Sequence, residues 1–128
     1  MATIFSKIID GDIPSFKIAE NDSFLAFLDI QPLVLGHTLV IPKKETNYIF
    51  DMESDEYAEM WKFAQVVAKK IKEKVDCKRI GIAVIGLEVA HAHIHLVPIN
   101  NVNDINFAAP KMYVSMEVLQ EIADKINS

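Results

Sequence analysis

The sequence predicts an α+β fold: an antiparallel sheet of about five strands, one long helix packed against it, and a second helix near the C-terminus. Short strand-like runs at 16–20, 24–29, 37–42, 78–85 and 89–97 are set off by turn residues. Asn21-Asp22-Ser23 between the first two reads as a hairpin turn. One long apolar run at helical spacing lies between the third strand and the fourth.

In chain order, Ile4 to Ile9 is mostly apolar and closes on Asp10-Gly11-Asp12-Ile13-Pro14, a turn by its Asp-Gly pair and proline. Phe16 to Glu20 alternates as a strand does, and Phe24 to Asp29 continues it after the hairpin. His37 to Pro42 is a third strand, entered after Gly36 and ended by proline. Ser54 then reads as a helix cap, with Asp55 and Glu56 suited to the positive helix start. Tyr57, Met60, Trp61, Ala64, Val67, Ala68, Ile71 and Val75 follow at three- and four-residue spacing, a helix of about five turns. Lys69, Lys70, Lys72 and Lys74 read as its solvated face, and Cys77 as a small residue in the turn that follows. Lys78 to Ile85 is the fourth strand, and Gly86-Leu87-Glu88 a tight connection into a fifth, Val89 to Val97, ended by Pro98. Residues 100–110 read as loop, and Ser115 as the cap of a last helix carrying Val118, Leu119, Ile122, Ala123 and Ile126 on one face. With four glycines, five prolines, no repeat and no low-complexity tract there is no interdomain linker, so 1–128 reads as one domain.

Half the residues are hydrophobic and about a quarter charged, as in soluble globular proteins. A net charge of −5 argues against non-specific binding to nucleic acid or anionic membrane. A small anionic ligand stays open, because a pocket can be locally positive. The lone Cys77 has no disulfide partner within the chain, which fits a reducing compartment. The opening Met1-Ala2-Thr3-Ile4-Phe5-Ser6-Lys7 lacks a signal-peptide pattern and no apolar run has transmembrane length, so the expected location is the cytoplasm.

Three of the four histidines fall in one run, His91-Ala92-His93-Ile94-His95. On a strand they would share one face, with Ala90, Ala92, Ile94 and Leu96 turned the other way into a core. Such a row could ligate zinc with His37 as a fourth ligand, although Glu88 is the only acid nearby in sequence to orient it. Three merely structural imidazoles would each need a hydrogen-bond partner. Nucleophilic catalysis on phosphorus suits the row best: a neutral ring attacks, while a neighbour donates to phosphate oxygens or protonates the leaving group. Charge repulsion should separate the rings' pKa values, leaving one protonated and one neutral near pH 7.

The run His91-Ala92-His93-Ile94-His95-Leu96-Val97 resembles the histidine triad motif, His-x-His-x-His followed by two apolar residues. Three further stretches are similar to that family's signatures, in order and spacing: Phe5 to Pro14, Phe27 to Pro32, and Gly36 to Lys43. The resemblance covers residues 3–98 and leaves 99–128 as a variable tail. It implies the HIT-like fold and hydrolysis or transfer at the α-phosphorus of a nucleoside monophosphoryl compound: a purine nucleoside phosphoramidate, an AMP-type conjugate or a dinucleoside polyphosphate. On that pattern His93 becomes nucleotidylated, His95 contacts the phosphate and assists the leaving group, His91 hydrogen-bonds within the relay, and His37 supports them. Phe5, Ile8, Ile13, Phe27 and Ile30 would surround the base, and Asp29 would accept from the ribose hydroxyls. Ile8 and Ile13 have an alternative as plain core, and Asp29 as a turn cap. Histidine at position 95, where transferases carry glutamine, favours the hydrolase branches, and length and opening look most like the Hint-type group. The resemblance also implies a homodimer. The chemistry needs no cofactor, and one cysteine cannot supply the structural zinc site of some relatives.

The chain departs from the family just before the triad. Where relatives have a polar loop ending Gly-Gln-Ser or Gly-Gln-Thr, this chain has Gly86-Leu87-Glu88, and Ala83 stands where an asparagine is frequent. Either Glu88 points away and backbone N–H groups around Gly86 hold the phosphate, or Glu88 meets a cationic leaving group. Weak turnover, with the protein acting as a nucleotide-binding or regulatory module, is the alternative function.

Overall fold

Five strands form one sheet in the order β1-β2-β3-β5-β4, every neighbouring pair antiparallel. They are β1 (Lys17–Glu20), β2 (Phe24–Leu28), β3 (Thr38–Pro42), β4 (Arg79–Ala83) and β5 (Ile94–Ile99). The helices are α1 (Ile4–Ile9), α2 (Ser54–Lys74) and α3 (Met116–Asn127). This computed structural model describes residues 3–128; Met1 and Ala2, the start of the stretch read for a targeting signal, lie outside them.

The pleat divides β2 and β3 between two cores, and β5 feeds the main one. Phe24, Ala26, Leu28, Val40, Ile94 and Leu96 join Met60, Ala64, Val67 and Ile71 of α2 and Leu119, Ala123 and Ile126 of α3. Leu25, Phe27, Leu39 and Ile41 face the other way and are covered by Phe5, Ile8 and Ile9 of α1. The tail beyond residue 98 is therefore part of the main core. Ser115 caps α3 as expected, accepting from Val118 N–H. Lys70, read as solvated, reaches back to the Ile18 carbonyl and Asn127.

Several boundaries differ from those the pattern suggests. The opening segment is a helix, closed by a reciprocal capping box between Thr3 and Ser6. The cap of α2 is Glu53, without a side-chain bond, and Ser54 is already helical. Residues 102–105 form a short 3₁₀ turn within the expected loop.

Most consequentially, β4 stops at Ala83 and β5 starts at Ile94, so the tight connection is a ten-residue loop, 84–93, and His91 and His93 precede the strand. Ala92, Ile94 and Leu96 enter the main core as expected, whereas Ala90 is exposed. Pro98 does not end β5. The β3 ladder stops at Leu96, so proline sits where β4 alone pairs with the strand.

Gly36, which leads the chain into His37, has φ +95°, and a Cβ there would lie 3.1 Å from Pro98 Cγ. Gly36→Ala is expected to cost about 2 kcal/mol of stability through left-handed strain and this contact. Urea denaturation reads it, and an unchanged midpoint would contradict the assignment.

Candidate active site

On the α1 side of the sheet lies a cavity of about 510 Å³, within the range of small-molecule sites. All eight residues expected to hold a nucleotide line it: Phe5, Ile8, Ile13, Phe27, Asp29, Ile30, Gly86 and Glu88. His37, His93 and His95 line it too, while His91 is wholly buried behind them. Phe5 reaches the site because the Thr3 cap seats α1 there; its ring meets Phe27 at 5.7 Å and His93 at 5.0 Å between centroids.

Hydrogen-bond partners fix the tautomer of each neutral imidazole. His91 donates from Nε2 to the Pro42 carbonyl at 2.8 Å, and its Nδ1 receives the Thr3 hydroxyl at 3.2 Å. His93 donates from Nδ1 to the His91 carbonyl at 2.7 Å, which leaves the Nε2 lone pair unused. His91 thus supports His93 through its main chain, not its ring. His37 Nδ1 accepts from Leu33 N–H at 3.1 Å, so its hydrogen sits on Nε2 and is donated to His95 Nδ1 at 3.0 Å. His95 must then carry its own hydrogen on Nε2. Two adjacent rings, 4.9 Å apart between centroids, hold complementary states: a bare Nε2 on His93 and an Nε2–H on His95.

The expected pairing of one charged and one neutral ring does not hold. Burial, with its neighbours' charges, pushes His95 down to about 3 and His37 down to about 4; His93 is lowered by burial too. Desolvation outweighs the pairwise splitting, so these three rings are neutral at pH 7 and divide labour by tautomer.

Asp29 is half-buried and burial raises its pKa. One oxygen caps the turn by accepting from Gln31 N–H at 2.9 Å; the other lies 3.8 Å from His37 Nε2. The turn-cap and cavity readings are therefore compatible, one for each oxygen.

Asp29, His37 and His95 are the one group among the described residues whose donor atoms are close enough for a metal ion, within 4.8 Å of one another. They do not match the expected ligand row, since His91 and His93 bond to carbonyls. Nor does the donor chemistry suit a cation: Leu33 N–H keeps the hydrogen of His37 on Nε2, the nitrogen facing the other two.

Sequence reasoning missed what the tail contributes. Phe107 packs edge-on against His95 at 4.7 Å and meets His37 at 6.2 Å. Lys111 lines the cavity, its Nζ 3.9 Å from Glu88 Oε2. No local pattern marks either residue, because both arrive through the chain's return from β5. At the rim Leu87 is 89 % exposed, and the side chain of Glu88 is also largely in solvent. Among the described residues, no helix is long and apolar enough to cross a membrane.

Residues 10–102 match the family model of the HIT domain. The chain is 32 % identical over 130 residues to a protein of Schizosaccharomyces pombe named adenosine 5′-monophosphoramidase hnt1, covering all of this chain and 98 % of that one. It is 38 % identical over 98 residues to adenosine 5′-monophosphoramidase HNT1 of Saccharomyces cerevisiae, covering 76 % of this chain and 62 % of the other. Among solved structures, a Hit-like protein of Bartonella henselae superimposes with a TM-score of 0.84 at 32 % identity, over 98 % of this chain and 94 % of that one.

Proposed function

The chain belongs to the histidine triad family, and from that premise we propose that it hydrolyses nucleoside monophosphoryl compounds, purine nucleoside phosphoramidates in particular, through a nucleotidyl-His93 intermediate. The observation that carries the proposal is the pair of complementary tautomers on the cavity wall. In this reading the base lies among Phe5, Ile8, Ile13, Phe27 and Ile30, and the free oxygen of Asp29 accepts a ribose hydroxyl. The Nε2 lone pair of His93 attacks phosphorus and the bond to the leaving nitrogen breaks. His93 gains positive charge as its bond forms, and the free Nε2–H of adjacent His95 hydrogen-bonds the departing nitrogen, which takes up a proton from solvent as it leaves as amine. Water then displaces His93, giving up a proton to solvent and freeing the nucleoside monophosphate. His37 acts on His95, and His91 holds His93 from behind.

Named relatives support this substrate class, since two of them are called adenosine 5′-monophosphoramidases. The homodimer belongs to the same proposal. Edge strand β4 with exposed Ile82, and Phe50 at 68 % exposure, supply an unpaired apolar face for a second copy. Buried, unpaired Cys77 supports a reducing, cytoplasmic location. The packing of α3 into the main core supports reading 1–128 as one domain.

Incubation with adenosine 5′-phosphoramidate should release AMP and, on rapid quench, leave an adenylyl group on the peptide containing His93. AMP binding without release would favour the regulatory alternative, to which exposed Leu87 in place of a polar side chain lends support. Turnover abolished by chelation would exclude the metal-free chemistry.

A further inference from the structure

We propose that Lys111 is the cation that receives the substrate's phosphoryl anion, and that Glu88 restrains it at the cavity mouth until an anion arrives. The inference rests on the nucleotide reading above and goes beyond it by assigning the charge that reading lacks.

An anionic phosphoryl group entering this cavity meets two carboxylates, Asp29 and Glu88, on a chain of net charge −5. The three histidines that line the cavity, His37, His93 and His95, offset none of that charge at neutral pH, being held uncharged by burial. The loop at Gly86-Leu87 offers no polar side chain. Among the described residues lining the cavity, Lys111 is the only lysine or arginine. Its field already reaches Asp29, His37 and His95.

Lys111 is held in place. Met112 N–H donates to the Pro32 carbonyl at 2.9 Å, and the preceding turn packs Phe107 on His95. Its pairing with Glu88 is loose: the charged atoms are 3.9 Å apart and the side chains 39 % and 84 % exposed. A solvent-screened pair of that kind contributes little. Exchanging it for a shorter bond to a phosphoryl oxygen is therefore favourable. The lysine also supplies the donor that Leu87 does not.

Calorimetric titration with AMP and, separately, with adenosine tests this. Lys111→Gln should weaken AMP binding by about tenfold, the loss expected for one charge-assisted hydrogen bond, and leave adenosine unchanged. Lys111→Arg should keep most of the AMP affinity. Glu88→Gln should tighten AMP binding severalfold when Lys111 is present and by less when it is glutamine. Sodium chloride should weaken AMP binding more steeply in the wild type than in Lys111→Gln. Equal AMP affinity in Lys111→Gln would overturn the inference while leaving the nucleotide reading intact. Parallel loss of AMP and adenosine would show a structural role and overturn it as well. A wild type that binds neither compound removes the nucleotide reading and this inference together.

Discussion

His93→Gly is expected to lower turnover of adenosine 5′-phosphoramidate by roughly 10⁴-fold or more, the scale of deleting a covalent nucleophile, while AMP still binds. Loss of the ring removes the one imidazole nitrogen with an unused lone pair facing the cavity, and no neighbour can substitute. His95 Nε2 carries hydrogen, both nitrogens of His91 are engaged, and both of His37 are bonded. Binding survives because the apolar wall built by Phe27, Leu39 and α1 does not depend on residue 93. The variant gives up ring contacts with Phe5 and His95 and one hydrogen bond to the His91 carbonyl, so its stability should drop by about 1–3 kcal/mol. Glycine also leaves a ring-shaped gap, so free imidazole added to the assay should restore part of the rate. His95→Gln should be milder, since glutamine keeps an N–H donor toward the reacting phosphoryl group but loses the placement that the His37 bond gives the ring. Turnover near wild type in His93→Gly would place the nucleophile elsewhere. Collapse of binding and folding together would make His93 structural.

How far such a site was legible in the sequence depends on the range of the interactions that build it. The two-residue period of β2 and β3 marks strands because alternate residues feed two different cores, and Phe24/Ala26/Leu28 against Leu25/Phe27 shows that division directly. Helix α2 is legible because 21 residues hold enough turns to display a stripe. The six residues of α1 do not, and only the Thr3 and Ser6 pair hints at a helix start. The same alternation misled at His91 and His93. Their spacing mimics a strand, but ring-to-carbonyl bonds, not a ladder, hold them. Six of the cavity-lining residues, Phe5, Ile8, Ile13, Phe27, Asp29 and Ile30, were legible through a family resemblance, and all six line one space. Phe107 and Lys111 carry no local signature, since their place follows from the whole path of the chain after β5. The protonation states were misjudged because sequence shows that rings are neighbours and hides how dry they are.

That dryness sets the second large expectation, a fold that weakens as soon as the pH drops below the ordinary histidine range. In the unfolded chain an imidazole takes up its proton near pH 6.5, whereas in the fold His95 does so only at about 3 and His37 at about 4, with His93 also lowered. Between those limits the unfolded state binds more protons, so stability rises with pH and falls on acidification. Each such ring contributes at most about 1.4 kcal/mol per pH unit, so the set should cost the fold on the order of a few kcal/mol between pH 6.5 and 5. The window matters because ordinary carboxylates titrate below it. Asp29 works in the opposite sense: its raised pKa means the fold holds that proton more tightly, so its protonation eases a buried charge as the pH falls further. The histidine loss should therefore be steepest above the range where Asp29 protonates, and partly offset within it. Urea titrations at pH 7.5, 6.5, 5.5 and 5.0 measure the slope, and His37→Asn together with His95→Asn should flatten it, both side chains being uncharged at every pH tested. Stability that stays level from pH 7.5 to 5.0 would mean that the rings are hydrated in solution, and the tautomer pairing of His93 with His95 would lose its footing with them.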